Sequence, residues 1–127
     1  MEIEIFETEF GEGDIALAAE FPVEPYGQAL FASLDATENS RKILQELADA
    51  WRELWPKMRQ RLEQGIVGYK IELDLSSRPF IASVCPMEKG VFMSDEADIF
   101  VRFDFDDVPV WDFFIRGSHL AHFQPVF

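Results

Sequence analysis

Seven carboxylates between residues 95 and 112 form the densest group of side chains that could do chemistry. Three of them, Asp104, Asp106 and Asp107, are nearly adjacent, and Asp104 and Asp106 would share one face of a β-strand. A hard cation such as Ca²⁺ takes several oxygen ligands, so this group is a candidate cation site. The spacing of a calcium loop is absent, because Val108-Pro109 follows directly. Since aspartates are common in turns, the sequence favours a turn at a strand end, with no metal and no cofactor.

The two histidines, His119 and His122, are the next candidates. A spacing of three could bring two imidazoles together on a helical turn, but zinc needs a third and usually a fourth ligand. His119 could act as a general base beside Asp112 or Ser118. A small hydrolase-like enzyme that uses His119, or the aspartates at 104, 106 and 107, is therefore an alternative interpretation. Because any chain of this length offers such pairs, no catalytic residue is assigned.

The single cysteine, Cys85, lies in an apolar run at residues 80–86. One cysteine supplies neither a disulfide framework nor a thiolate metal cluster. A reactive thiol needs an electropositive, accessible setting, and no neighbour in sequence supplies one. We therefore expect Cys85 to be a small apolar residue of the core.

Charge is distributed unevenly along the 127 residues, whose formal net charge is −13. The first forty residues hold ten carboxylates and no lysine or arginine, whereas residues 41–70 hold seven bases and four acids. Such a bias repels polyanions and favours cationic partners, so we expect binding neither to nucleic acid nor to an anionic membrane. The N-terminus lacks a signal peptide, and no apolar run approaches the roughly 20 residues of a membrane span, so a cytoplasmic location is expected.

Hydrophobic periodicity predicts one α+β domain over residues 1–127, with strands within about 2–35, a helix at about 38–64 and strands within about 66–126. In the first part, residues 3–5, 15–21 and 29–34 alternate as strands do, although Ala16–Ala19 could instead be helical. The helix pattern begins after residues 37–40, which offer several side-chain oxygens for an N-cap, and Gly65 provides a stop. Its apolar stripe, which includes Leu47, Trp51 and Trp55, is most simply the core face of the helix, and we expect Leu47 and Trp51 to be buried. Pro56 predicts a kink or the start of a second helix. We expect the helix to pack on one face of a mainly antiparallel sheet.

In the C-terminal half, the period of two predicts a strand at residues 66–75, followed by strands at 80–85, 91–93, 99–105 and 110–116. The hairpin of residues 99–116 has one favoured register. If paired residue numbers sum to 214, opposite charges and aromatic rings meet across the strands. The pairs are then Asp98 with Arg116, Ile99 with Ile115, Phe100 with Phe114, Val101 with Phe113, Arg102 with Asp112 and Phe103 with Trp111.

Aromatic residues are in surplus near the C-terminus. If Phe103 and Trp111 face the helix, Phe100 and Phe114 emerge on the opposite face of the sheet. Paired aromatic side chains there suggest a contact surface, either for a second copy of the chain or for another protein.

These observations favour a small acidic protein-binding module, without enzymatic activity, that docks a basic surface on another protein. Acidic inhibitors such as bacterial immunity proteins, which neutralise basic toxins, share this profile of size and charge. A symmetric homo-oligomer, assembled through the face of Phe100 and Phe114, is a second alternative to the binding module. The predicted contact residues are Glu7, Glu9, Glu12, Phe100, Asp104, Asp106, Asp107 and Phe114.

Overall fold

The computed structural model describes residues 3–10, 13–76, 80–105 and 109–127. In this part of the chain there are seven strands and one helix: β1 (Ile5–Phe10), β2 (Asp14–Pro22), β3 (Gln28–Ser33), α1 (Glu38–Gly68), β4 (Phe80–Pro86), β5 (Ile99–Asp104), β6 (Val110–Arg116) and β7 (His119–Val126). The strands form one sheet in chain order. Neighbours are antiparallel except β3 and β4, which are parallel. A parallel pair needs a long crossover connection, and α1 lies in it. This confirms the predicted α+β class.

The helix begins where its capping residues predict. The Thr37 side chain accepts a hydrogen bond from the Ser40 backbone N–H, as an N-cap does. The Asp35 carboxylate accepts hydrogen bonds from the Ser40 hydroxyl, the Thr37 hydroxyl and the Thr37 backbone N–H. These bonds lower the pKa of Asp35. The apolar stripe of α1 is buried against the sheet, and the predicted burial of Leu47 and Trp51 is confirmed.

Pro56 lies inside α1, which continues through it as one helix. The interpretation that a second helix begins at Pro56 is therefore wrong. Proline has no N–H to donate to the carbonyl of Arg52, so one intrahelical bond is missing at this point. The kink expected from that loss stays a prediction.

The end of the helix differs from the predicted stop at Gly65. Gly65 is buried within α1, and the chain leaves the helix at Lys70, whose φ is 55°. The Lys70 and Ile71 N–H groups donate to the carbonyls of Val67 and Ile66 at 3.2 and 3.0 Å, the two bonds of a Schellman motif. A left-handed lysine ends this helix where glycine is usual.

Two predicted strands are absent from the described sheet. Residues 71–76 alternate in burial as predicted, with Ile71, Leu73 and Leu75 inward, but this segment ends in a turn and is not one of the strands of the described sheet. The helix simply continues to Gly68 where the strand was expected to begin. Residues 91–93 lie in turns, because Val91 and Met93 accept hydrogen bonds from backbone groups three or four residues later.

The other predicted elements are confirmed. Ala16–Ala19 belong to β2, so the helical alternative is wrong. The register of the β5–β6 hairpin is the predicted one at every pair from Ile99–Ile115 to Phe103–Trp111. The Cys85 strand is β4, although the cysteine is only partly buried.

The sheet has two distinct faces. The first, the helix face, carries the core: Leu17, Phe21, Phe31, Phe80, Val84, Val101, Phe103, Trp111 and Phe113 are buried there with α1. The second, which we call the outer face, carries the alternate residues, including Phe6, Leu30, Ile81, Phe100 and Phe114. In the described part of the chain, no helix or second sheet covers the outer face.

Candidate functional site

The outer face exposes large apolar side chains over much of its width. Leu34 is 72% exposed, Ile81 47% and Phe6 42%. A helix or second sheet normally buries such side chains in a two-layer fold. Large apolar side chains that remain open on one face of a sheet are typical of a protein contact site.

Phe100 and Phe114 lie side by side on this face, with ring centroids 5.2 Å apart, as the register predicted. They are less accessible than the sequence suggested, since Phe114 is only 5% exposed. The turn segment of residues 87–98 folds over them, and the Phe92 ring lies 5.6 Å from that of Phe114. Phe92 is itself 60% exposed, so it takes the solvent-facing position that Phe114 was expected to have.

A pocket of about 360 Å³ opens beside these rings. Its apolar walls include Leu34, Cys85, Phe92 and Phe100. Burial raises the pKa of the Cys85 thiol, an effect that the nearby Arg102 charge opposes. The thiol therefore stays protonated near neutral pH and contributes an apolar wall rather than a nucleophile.

An ion pair holds the centre of the outer face. Arg102 donates two hydrogen bonds to Asp112, at 2.7 and 3.0 Å, and Asp112 is almost completely buried. The hydrogen bond to Asp112 raises the pKa of Arg102, and its guanidinium also lies 5.4 Å from the Phe100 ring centroid. A bidentate pair of this kind fixes the orientation of the Arg102 and Asp112 side chains at the middle of the outer face.

A second ion pair joins Arg116 and Asp98 at 3.5 Å, at the other end of the hairpin. Both side chains are about half exposed, so this pair contributes little to stability. Its consequence is electrostatic: the arginines of the outer face, Arg102 and Arg116, are each neutralised by an aspartate.

The predicted acidic contact residues do not form one surface. Glu7 and Glu9 are exposed on β1, but they pair with Leu17 and Ile15 and so project on the helix face. Asp104 is exposed on the outer face, opposite Ile81 of β4. Glu12, Asp106 and Asp107 lie outside the described residues. The outer face thus combines Phe100, Phe114 and Asp104, whereas Glu7 and Glu9 belong to a separate edge.

Both histidines lie on β7, but their neighbours differ. His119 is exposed opposite Arg116, four positions along β6 from Asp112, whose carboxylate Arg102 already occupies. His122 contacts the rings of Phe92 and Phe114 and lies 3.2 Å from the Gln124 side-chain oxygen. No group of three or more potential metal ligands is found among the described residues.

A larger groove of about 670 Å³ separates the β2–β3 connection from α1. The Trp51 and Trp55 indoles form part of its wall, and they donate hydrogen bonds to the carbonyls of Pro22 and Glu24 at 2.7 and 3.0 Å. Both tryptophans are buried, as the core interpretation of this stripe predicts. Their indoles tie the helix to the connection rather than forming an open aromatic site.

Sequence reasoning missed Leu34, Ile81 and Phe92 as members of the outer face. Ile81 alternates with the buried Phe80 and Ala82, which is the signal that it faces away from α1. Placing it opposite Asp104 requires the β4–β5 register, and placing Phe92 requires the turns after β4. Neither can be read from local periodicity.

No family model, curated protein or solved structure matches this chain. Within the described residues, no helix combines the length and hydrophobicity needed to cross a bilayer.

Proposed function

We propose that this chain is a non-enzymatic protein-binding module whose outer face docks a basic surface on another protein. Such a role is that of an acidic inhibitor, of which immunity proteins are one type. The observation that carries the proposal is the open outer face, with Leu34, Ile81 and Phe92 exposed on it. Exposed apolar groups that become buried on association supply a favourable free energy.

The distribution of charge indicates that the partner is cationic. The helix carries six of the eleven lysines and arginines but only five of the 24 acids, so the net negative charge belongs to the sheet and its connections. On the outer face, Glu20 and Asp104 flank Leu30 and Ile81 in one row across the strands, and the two arginines are ion-paired. A cationic protein surface is the complement of this arrangement, and attraction over a distance accelerates its capture.

The same charges disfavour the homo-oligomer that uses this face. A two-fold contact through the outer face would bring the Glu20 and Asp104 carboxylates of both copies into one interface. Like charges brought together in this way oppose association. The enzymatic alternative that uses His119 gains no support either, because Arg116 rather than a carboxylate lies opposite this residue.

The test is capture of a basic protein by immobilised chain from host lysate, with mass-spectrometric identification. The purified partner is then bound to the wild type and to a Leu34→Ser/Ile81→Ser variant. We expect at least roughly tenfold weaker binding of this variant, because each serine removes apolar area from the contact. A Val67→Ser/Tyr69→Ser variant is the matched control, since both of its positions are exposed near the end of α1.

Binding of the identified partner should also weaken as salt is added, mainly through a slower association rate. The proposal is wrong if the captured proteins are not basic, or if the outer-face and control variants bind the partner equally.

A further inference from the structure

The strand β1 forms one edge of the sheet, and within the described parts of the chain it pairs only with β2. That pairing is regular over all six residues, from Ile5–Ala19 to Phe10–Asp14. An edge strand directs alternate backbone N–H and C=O groups away from its one neighbour. These groups can bind an added strand from another protein.

The opposite edge of the sheet is protected against such pairing. Strand β7 contains Pro125, which cannot donate a backbone hydrogen bond, and its register with β6 shifts between Phe114 and Ile115. Proline and bulges are devices by which edge strands avoid pairing. The described residues of β1 contain neither. Of the two edges, β1 is therefore the one suited to strand addition.

The side chains of β1 specify what could pair with it. Glu7 and Glu9 are exposed on the helix face, whereas Phe6 is exposed on the outer face. The pattern changes toward the start of the strand, where Ile5 shares a groove with two acids and two bases of α1, Glu38, Glu46, Arg41 and Lys42. Positive side chains are thus favoured opposite Glu7 and Glu9, whereas the groove beside Ile5 has no formal net charge.

We propose that an extended basic segment of the partner adds to β1 as an eighth strand of the sheet. Its lysines or arginines lie opposite Glu7 and Glu9, and an apolar residue lies opposite Phe6. This inference rests on the proposed function for the basic character of the partner. Cross-strand pairs of opposite charge stabilise such an arrangement.

A second copy of this chain is a poor occupant of the same edge. Two copies paired antiparallel about Thr8 would place Glu7 of each copy opposite Glu9 of the other. Like charges directly opposite one another destabilise a strand pair. The charge pattern therefore selects a basic segment over self-association.

The experiment measures binding of a fluorescent eight-residue peptide that alternates lysine and valine, by anisotropy at low salt. A peptide of equal charge with a central valine replaced by proline is the backbone control, because proline interrupts a strand. We expect binding of the first peptide only, with slower amide hydrogen exchange in β1 when it is bound. The inference is overturned if the alternating peptide does not bind, or if both peptides bind equally.

Charge specificity is tested with the Glu7→Lys/Glu9→Lys variant. We expect roughly tenfold weaker peptide binding, since two favourable cross-strand pairs become unfavourable. The Glu53→Lys/Glu72→Lys variant makes the same change in net charge at exposed positions away from β1, and it should weaken binding less than about threefold. Equal loss in the two variants would mean that overall charge alone attracts the peptide, and would overturn strand addition.

The outcome for the lysate-captured partner separates this inference from the proposed function. Strand addition would be refuted if a basic partner needs Leu34 and Ile81 for its affinity but binds the Glu7→Lys/Glu9→Lys variant as tightly as the wild type. The same would follow if its effect on the amide exchange of β1 were equal in this variant and in the wild type. The proposed function would stand in that case. Thermal melts of every variant establish that the fold is retained before binding is compared.

Discussion

Replacement of Gly65 by alanine should destabilise the fold, although alanine is the better helix former. Within a helix the change from glycine to alanine normally stabilises by about 0.5–1 kcal/mol. At Gly65, however, an added Cβ would lie 2.7 Å from Cζ3 of Trp111 and 3.3 Å from the Phe123 ring. Trp111 is fully buried, so its ring has little room to move. Overpacking of this kind costs about 1–3 kcal/mol, and we expect a net loss of about 1–2 kcal/mol.

The matched control is Gly68→Ala, three residues later in the same helix. A Cβ at Gly68 meets no atom within 4 Å, so this variant should keep the propensity gain of up to about 1 kcal/mol. Urea unfolding of both variants measures the difference directly, and it should be about 2–3 kcal/mol. In thermal melts, each kcal/mol should shift the Tm by roughly 3–5 °C for a domain of this size. Equal stability of the two variants would refute close packing at Gly65.

A double-mutant cycle identifies the contact. Trp111→Phe removes the ring atom nearest to the added Cβ, so Gly65→Ala should cost about 1–2 kcal/mol less in that background. The single Trp111→Phe change has an offsetting benefit, because the indole Nε1 of Trp111 is buried and no described group accepts a hydrogen bond from it. An unchanged cost of Gly65→Ala would mean that the clash is with Phe123 or absent.

Three further predictions concern stability. Leu47→Ala should cost about 2–5 kcal/mol in urea unfolding, because it empties a fully buried position of α1. Asp112→Ala should cost about 1.5–3 kcal/mol, since it removes two hydrogen bonds to the charged Arg102 guanidinium, whereas Asp98→Ala in the more exposed pair should cost less than about 1 kcal/mol. A similar cost at both aspartates would contradict the importance of burial. The lowered pKa of Asp35 contributes stability that is present above its unfolded-state pKa and is lost as the pH falls through the folded-state value. Asp35→Asn should therefore destabilise at pH 7 and approach the wild type near pH 3, and a pH-independent difference would exclude this charge effect.

The sequence predicts those parts of the fold that depend on near neighbours. The β5–β6 register follows from side chains that meet across one short hairpin, so Arg102 and Asp112 could be paired in advance. The start of α1 follows similarly from Thr37 and Ser40.

The errors arise where distant packing decides the local structure. Gly65 resembles a stop in sequence, yet its missing Cβ admits the Trp111 ring, from a strand 46 residues later. The alternation of Ile71, Leu73 and Leu75 is real, but burial against the core produces it without strand pairing. Local periodicity reports which side chains are inward and cannot report whether a neighbouring strand exists.

The candidate site was predicted only in part for the same reason. Phe100 and Phe114 were placed on the correct face because strand residues alternate between faces, and both lie an odd number of positions from the helix-facing Phe103 and Trp111. Phe92 covers Phe114 because of the turns after β4, and Glu7 is separated from that face because of the strand order. Neither follows from local alternation.

The position of Phe6 connects the two proposed contacts into one surface. It lies on β1, yet it faces outward in a row with Ala18 of β2, Ala32 of β3 and Ser83 of β4, which leads to Arg102. The small side chains of this row leave no large group between Phe6 at the β1 edge and the Arg102–Asp112 pair at the centre of the outer face. A strand added beside Phe6 would therefore continue the outer face without interruption, so that one basic partner could bind both the β1 edge and the outer face. If it does, combining Leu34→Ser/Ile81→Ser with Glu7→Lys/Glu9→Lys should weaken that partner by the product of the separate factors, because distant sites contribute independently. Two different partners would each respond to one pair of changes alone.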